Sequence, residues 1–557
     1  CLVLHGHLPY VLNHGNWPHG EDWLYEAAAE TYLPIHAMVR ECVFFNAQPR
    51  LAMGLTPVLL EQLAHEQFKD GFERYLEDRI ARAGADRKDF ERNGAGHMVY
   101  LADRWAQWYG DRLKQFREID RDIPRAFADL AEKGYVEILT SNATHGYMPS
   151  LREEACMRAQ SRGVLSSSER IRGFRPKGMW LPECAYRPGG AWQPPIPWSG
   201  QERRIGIEHL VGDEGVSHFF VEHHLIEQAR SEHVFNDGRW WKVGWDEAQK
   251  YPSRGWRSVH EPHGVNSDGT GLSRAVAFAR DPVVCEQVWS GTIGYPADGS
   301  YMEFHKKWGE RRGLRYWKIT GNKVDLGDKH LYYPDDIDAR IHEHVSHFCG
   351  FVKDRLRKHR EQTGRHGVVT ACFDAELFGH WWFEGPRFLR DVMLSLNIDP
   401  EVELCTPAEF LERRPADKVV ALPEGSWGDG GDHRVWTNEK VNWMWDIEYR
   451  CEALFGKLTF ELPWRDNREL REMLSHAARE LLLMQASDWP FVIARGQAID
   501  YGIKRFVLHA GRFENLCAIA EKMHRGDPLT ELEKFEIEDA LRHDVVFPRV
   551  DLSWWNM

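Results

Sequence analysis

Short apolar runs that close on polar or aromatic side chains recur along the chain: LVLH (2–5), LAMGLT (51–56), YVEILT (135–140), GMWL (178–181), SHFFVE (217–222), VCEQVW (284–289) and VVTACF (368–373). Each has the length of a strand, and the stretches between them are long enough for helices. The pattern therefore predicts parallel strands alternating with helices. Because the polar surprises sit at the C-terminal ends of the runs, a barrel is favoured over an open sheet. VELCT (402–406) reads as an eighth strand or an edge piece.

Between the second and third runs lies more chain than one crossover needs. Phe68, Phe72, Tyr75, Leu76 and Ile80 recur at helical spacing there, followed by a second helix-like run from 97 to 117, so residues 64–120 are expected to be a helical insertion. The barrel would then use residues 1–63 and 121–410. Residues 228–280 are polar, rich in Gly and Trp and weakly periodic, which reads as a long loop or lid. From about residue 445 the pattern is helical, so 411–557 is expected to be a C-terminal helical domain contributing to the active-site cleft.

Composition changes this picture in three ways. A net charge of −14 argues against phosphate-backbone binding as the main task, and no apolar run approaches the length of a membrane span. Ten cysteines are scattered without a CxxC pair, as in a reducing compartment, with the cytoplasm as the default. The unusual feature is 24 Trp beside 28 His. Indoles offer flat apolar faces with one donor, which suits stacking on sugar rings.

The ends of the runs carry the candidate chemistry: His5-Gly6-His7, Asn142-Ala143-Thr144-His145, Pro182-Glu183, Glu222-His223-His224, Trp289-Ser290 and Asp374-Ala375-Glu376. Two carboxylates from different strands, Glu183 and Asp374, are what glycosidic bond chemistry requires. Taken singly, each is equally well a structural pair or helix cap. The histidines admit a rival reading, since HxH with His145 and Asp374 is also how a metallohydrolase assembles a zinc site.

Five ordered segments, HGHLPY, EILTSNATHGYMP, GMWLPECAYRPGG, CFDAELFGHWWFEG and ASDWPF, resemble the five sequence regions of glycoside hydrolase family 57. LPEGSWGDGGDHRVWTNEK, HGNWPHGEDWLYEAAAETYLP and GYPADGSYMEFHK are similar to its α-1,4-glucan branching enzymes. The resemblance implies an incomplete TIM-type (β/α)7 barrel and a retaining transfer of α-1,4-glucan chains to C6 hydroxyls, without metal or cofactor. It implies Glu183 as nucleophile and Asp374 as general acid/base. His5, His7, His145, Asp488, Trp17, Trp289, Trp427 and Trp436 would contact substrate. The stretch 227–256 departs from the loop expected in that subgroup; Tyr251 is its lid candidate, with Phe235, Trp240 and Trp241 as alternatives. A 4-α-glucanotransferase or α-amylase of the same family would share both carboxylates.

Overall fold

Parallel strands form the frame of the molecule: β1 (Leu2–Gly6), β2 (Leu51–Leu55), β3 (Val136–Thr140), β4 (Gly178–Met179), β5 (His218–Val221), β6 (Val276–Ala279) and β7 (Ala371–Asp374). They lie side by side in the order β7-β1-β2-β3-β4-β5-β6, each parallel to its neighbour. The computed structural model describes residues 1–557 apart from 197–198, 237–238, 243–256, 268–272, 310–312 and 556–557. Every residue of β1, β2 and β5 is buried. Strands covered on both faces read as continuous apolar runs, which is why the sequence displays them so plainly.

The barrel is incomplete. β6 and β7 share no ladder; the Asp281 N–H donates to the Thr370 carbonyl at 3.0 Å, and the Cys285 thiol faces the Cys372 carbonyl at 3.6 Å. Beyond β6 the sheet continues through His263–Val265, Lys418–Ala421 and the hairpin Arg230–Asn236/Arg239–Lys242.

Four sequence expectations are corrected here. Residues 284–289 are not a strand but part of a helix, Pro282–Trp289, opened by the Asp281 carboxylate accepting from the N–H groups of Val283 and Val284. The strand in question is β6, inside the stretch read as a loop. That stretch also contains the hairpin and His263–Val265, so 228–280 is largely sheet among the described residues. Residues 402–406 form no strand, because Thr406 instead caps the helix Pro407–Arg413 with a capping box. Lys418–Ala421, placed by sequence in the helical C-terminal part, belongs to the main sheet.

Helices Glu66–Arg92 and Gly96–Glu118 pack together after β2. Phe72 and Phe116 meet edge to face, 4.8 Å between centroids. The C-terminal stretch forms helices Asn442–Glu461, Arg468–Met484, Asp488–Arg495, Ile499–Arg525 and Glu531–His543. They are tied to the strand ends: the Ser487 N–H donates to the His145 carbonyl at 3.2 Å, and Arg505 Nη1 donates to the Tyr10 carbonyl at 2.6 Å. No helix among the described residues is long and apolar enough to cross a membrane.

Candidate active site

Over the C-terminal ends of the strands lies a cavity of about 980 Å³, lined by His5, His7, His145, Glu183, Asp374 and Asp488 among others. The register of the parallel sheet explains part of this convergence. β1 pairs with β7 so that His5 lies beside Asp374, and the turns after β3 and β4 bring in His145 and Glu183. Both of those residues have a left-handed backbone, φ 59° in each case, followed at Cys184 by φ 47°. For residues other than glycine such conformations cost of order 1–3 kcal/mol each and persist where surrounding contacts impose them.

Those contacts are visible at Glu183. Its carbonyl accepts from the Trp427 N–H at 3.1 Å, its Oε2 accepts from Trp427 Nε1 at 2.7 Å, and its Oε1 accepts from Ser487 Oγ at 3.0 Å. Asp374 is the opposite case: among the described residues no donor is hydrogen-bonded to its carboxylate. Glu376, two residues on, accepts from the His7 N–H at 3.1 Å and from the Tyr32 hydroxyl.

The electrostatics follow from these partners. Burial raises the Glu183 carboxyl to about 7, while the Trp427 and Ser487 donors hold it back. Asp374 is pushed well above the ordinary carboxylate range by burial, then by the charges of Glu376 and Glu183, with Arg280 opposing. Two buried acids thus differ in what stabilises their ionised form. Glu183 is equipped to carry charge and Asp374 to keep a proton, the pattern that separates a nucleophile from an acid.

The histidines form a stacked group. His7 and His145 lie 4.1 Å apart between centroids at 22°, and His5 stacks on the buried Trp180 at 4.9 Å and 8°. His5 Nε2 and His145 Nε2 share a hydrogen bond of 3.0 Å, and His145 Nδ1 meets Ser487 Oγ at 2.9 Å. His7 contacts Thr56 Oγ1 at 3.0 Å and Asp488 Oδ2 at 3.0 Å. Most of their ring nitrogens therefore face one another or neighbouring side chains instead of converging on one point. Burial, then His7, lowers His5 and His145 well below the usual histidine range; burial also opposes charge on His7, but Asp488 and then Glu183 outweigh it.

The aromatic residues divide. Trp289 and Trp427 line the cavity as a stacked pair, 6.3 Å apart at 27°, with Arg280 over the Trp427 ring. Trp436 borders the cavity but is fully buried, one face against Tyr147 at 4.6 Å and another neighbour in Phe491 at 6.2 Å. It supports the wall and offers no open face for stacking, a correction to the sequence reading. Trp17 is half exposed and is not among the residues lining the cavity; Trp23, on the helix Glu21–Ala27, lines it. Tyr251 lies outside the described residues. Phe235 and Trp240 pack together on the hairpin, away from the cavity lining.

Sequence reasoning passed over Ser487, Arg280 and Trp180. Ser487 stands beside Asp488 in a recognised motif, a signal that was there to use. Arg280 follows the strand that was misplaced. Trp180 lies within the GMWL run, and its alignment under His5 depends on sheet register.

A family model for glycosyl hydrolase family 57 matches residues 1–423, and one for the C-terminal part of 1,4-alpha-glucan branching enzyme matches residues 449–555. The chain is 38% identical over 519 residues to a 1,4-alpha-glucan branching enzyme of Thermococcus kodakarensis, covering 92% of this chain and 72% of that one. A branching enzyme of this family from Pyrococcus horikoshii has the same fold, with a TM-score of 0.88 at 34% identity over 100% of this chain and 96% of that one. The alpha-amylase AmyC of Thermotoga maritima is also similar, with a TM-score of 0.81 at 26% identity over 100% of this chain and 98% of that one. The chain belongs to glycosyl hydrolase family 57.

Proposed function

We propose that this chain is a 1,4-α-glucan branching enzyme working by retaining double displacement with Glu183 and Asp374. Glu183 attacks the anomeric carbon of an α-1,4-linked glucosyl unit while Asp374 protonates the departing O4, leaving a glycosyl ester on Glu183. Asp374, now ionised, takes the proton of a C6 hydroxyl on another glucan chain, whose oxygen displaces Glu183 to form an α-1,6 branch. His5, His7, His145 and Asp488 bind the hydroxyls of the attacked glucose, and the Trp289–Trp427 pair stacks on the chain. The observation that carries the reading is the unequal dress of the two buried acids, two donors on Glu183 and none on Asp374. The test is the product. Amylose incubated with the protein should gain α-1,6 linkages that a debranching enzyme removes; new reducing ends without such linkages would make the protein a hydrolase.

A further inference from the structure

Two aromatic platforms face the cavity, and each is attached to the segment that carries one of the two acids. The first is Trp289–Trp427, fixed to Glu183 by the Trp427 Nε1 hydrogen bond of 2.7 Å. The second is Trp381 with Phe304, 4.3 Å between centroids at 32°; both line the cavity. Trp381 follows β7 and Asp374, its N–H donating to the Glu376 carbonyl at 3.1 Å.

Trp381 is 52% exposed, whereas the adjacent Trp382 is 1% exposed in the core. An indole left half in water forgoes part of the burial free energy that its neighbour Trp382 gains. The second platform is also braced from behind. His380 stands edge-on to both rings, 5.1 Å from Phe304 and 5.5 Å from Trp381. Its Nδ1 meets Glu30 Oε2 at 2.9 Å. Arg315 closes the brace, pairing with Glu30 at 3.1 Å and donating to the His380 carbonyl at 3.0 Å.

We propose that the Trp381–Phe304 pair is the platform for the acceptor glucan, the chain whose C6 hydroxyl receives the transferred unit. The inference rests on the branching reading above and deepens it. In a retaining displacement one residue protonates the leaving oxygen and then deprotonates the incoming one, so both oxygens occupy the same side of the sugar, next to Asp374. The leaving chain vacates that side and the acceptor enters it. A stacking surface on the Asp374 segment therefore serves the incoming chain, while the surface bonded to Glu183 serves the chain held as the covalent ester.

The experiment uses a maltooligosaccharyl fluoride as donor and a long maltooligosaccharide as acceptor. Fluoride release reports formation of the ester, and product analysis divides transfer from hydrolysis. Trp381→Ala and Phe304→Ala should each lower the ratio of transfer to hydrolysis about tenfold and raise the acceptor concentration for half-maximal transfer. Trp381→Phe, which keeps an aromatic face, should restore most of the ratio, and Trp289→Ala should instead raise the KM for the donor. The proposal is overturned if Trp381→Ala leaves the ratio within about twofold of wild type, or if it lowers fluoride release and transfer in equal proportion. A wild-type protein that forms no α-1,6 product would overturn the branching reading as well, whereas branching insensitive to Trp381 overturns only the platform.

Discussion

Glu183 and Asp374 sit in one cavity under opposite hydrogen-bonding regimes, and their mutants should differ accordingly. Glu183→Gln and Asp374→Asn should each lower turnover of amylose by at least about a thousandfold, because each acid acts in both half-reactions; activity within about tenfold of wild type would remove that residue from the mechanism. The pH profile carries a finer test. The Trp427 donor lowers the Glu183 carboxyl from where burial alone would put it. Trp427→Phe should therefore raise that carboxyl and move the acid limb of kcat/KM to higher pH; an unmoved limb would show that Glu183 does not set it. Stability responds in the opposite sense. Folding raises Glu183 from an ordinary 4.5 to about 7, so its contribution to stability is complete below the lower value and is lost as pH rises through the upper one. Glu183→Gln has no charge to bury. It should melt above wild type beyond pH 7, by on the order of 3 kcal/mol at most, with the gap closing towards pH 5. The acids and histidines were legible in the sequence because the C-terminal ends of apolar runs advertise them. What Trp436 does was not legible, since an indole's type says nothing of whether its faces are already covered.

At the scale of elements, the turn 375–382 joins the acid/base segment to the Trp381 platform. Gly379 makes that turn possible: its φ is +111°, and a Cβ there would lie 1.7 Å from the Glu30 carbonyl oxygen. Gly379→Ala should cost at least about 2 kcal/mol of stability, read as a fall in Tm, and should impair activity even in the folded fraction. A Tm unchanged from wild type would mean that the turn has another conformation open to it. Strands buried on both faces were readable as apolar runs, but β6 was not. Its AVAFA core is short and follows a polar stretch, while the apolar VCEQVW next to it is a helix announced by Asp281 and Pro282. The lesson is local: an N-cap followed by proline outweighs β-type composition in so short a run.

The molecule as a whole bears a net charge of −14 and is assigned here a neutral polymer as substrate. Its kcat/KM on amylose should change by less than about twofold between low and high salt; a steep salt dependence would point to a charged ligand. Site and scaffold are also joined at this scale. Strand ends supply His5, His7, His145, Glu183 and Asp374, whereas Ser487 and Asp488 come from the C-terminal helical stretch. That convergence was visible in the sequence only through the ASDWPF resemblance, because no local pattern says that residue 488 meets residue 7. The most direct test of the two-acid account is to trap the intermediate. In Asp374→Asn, a maltotriosyl fluoride should still glycosylate Glu183, since fluoride leaves without a proton, but the ester should then persist for want of a base. Mass spectrometry of the digested protein should find a maltotriosyl adduct on the peptide containing Leu181-Pro182-Glu183, and none in Glu183→Gln. An adduct on another residue, or steady fluoride release with no adduct, would contradict the account.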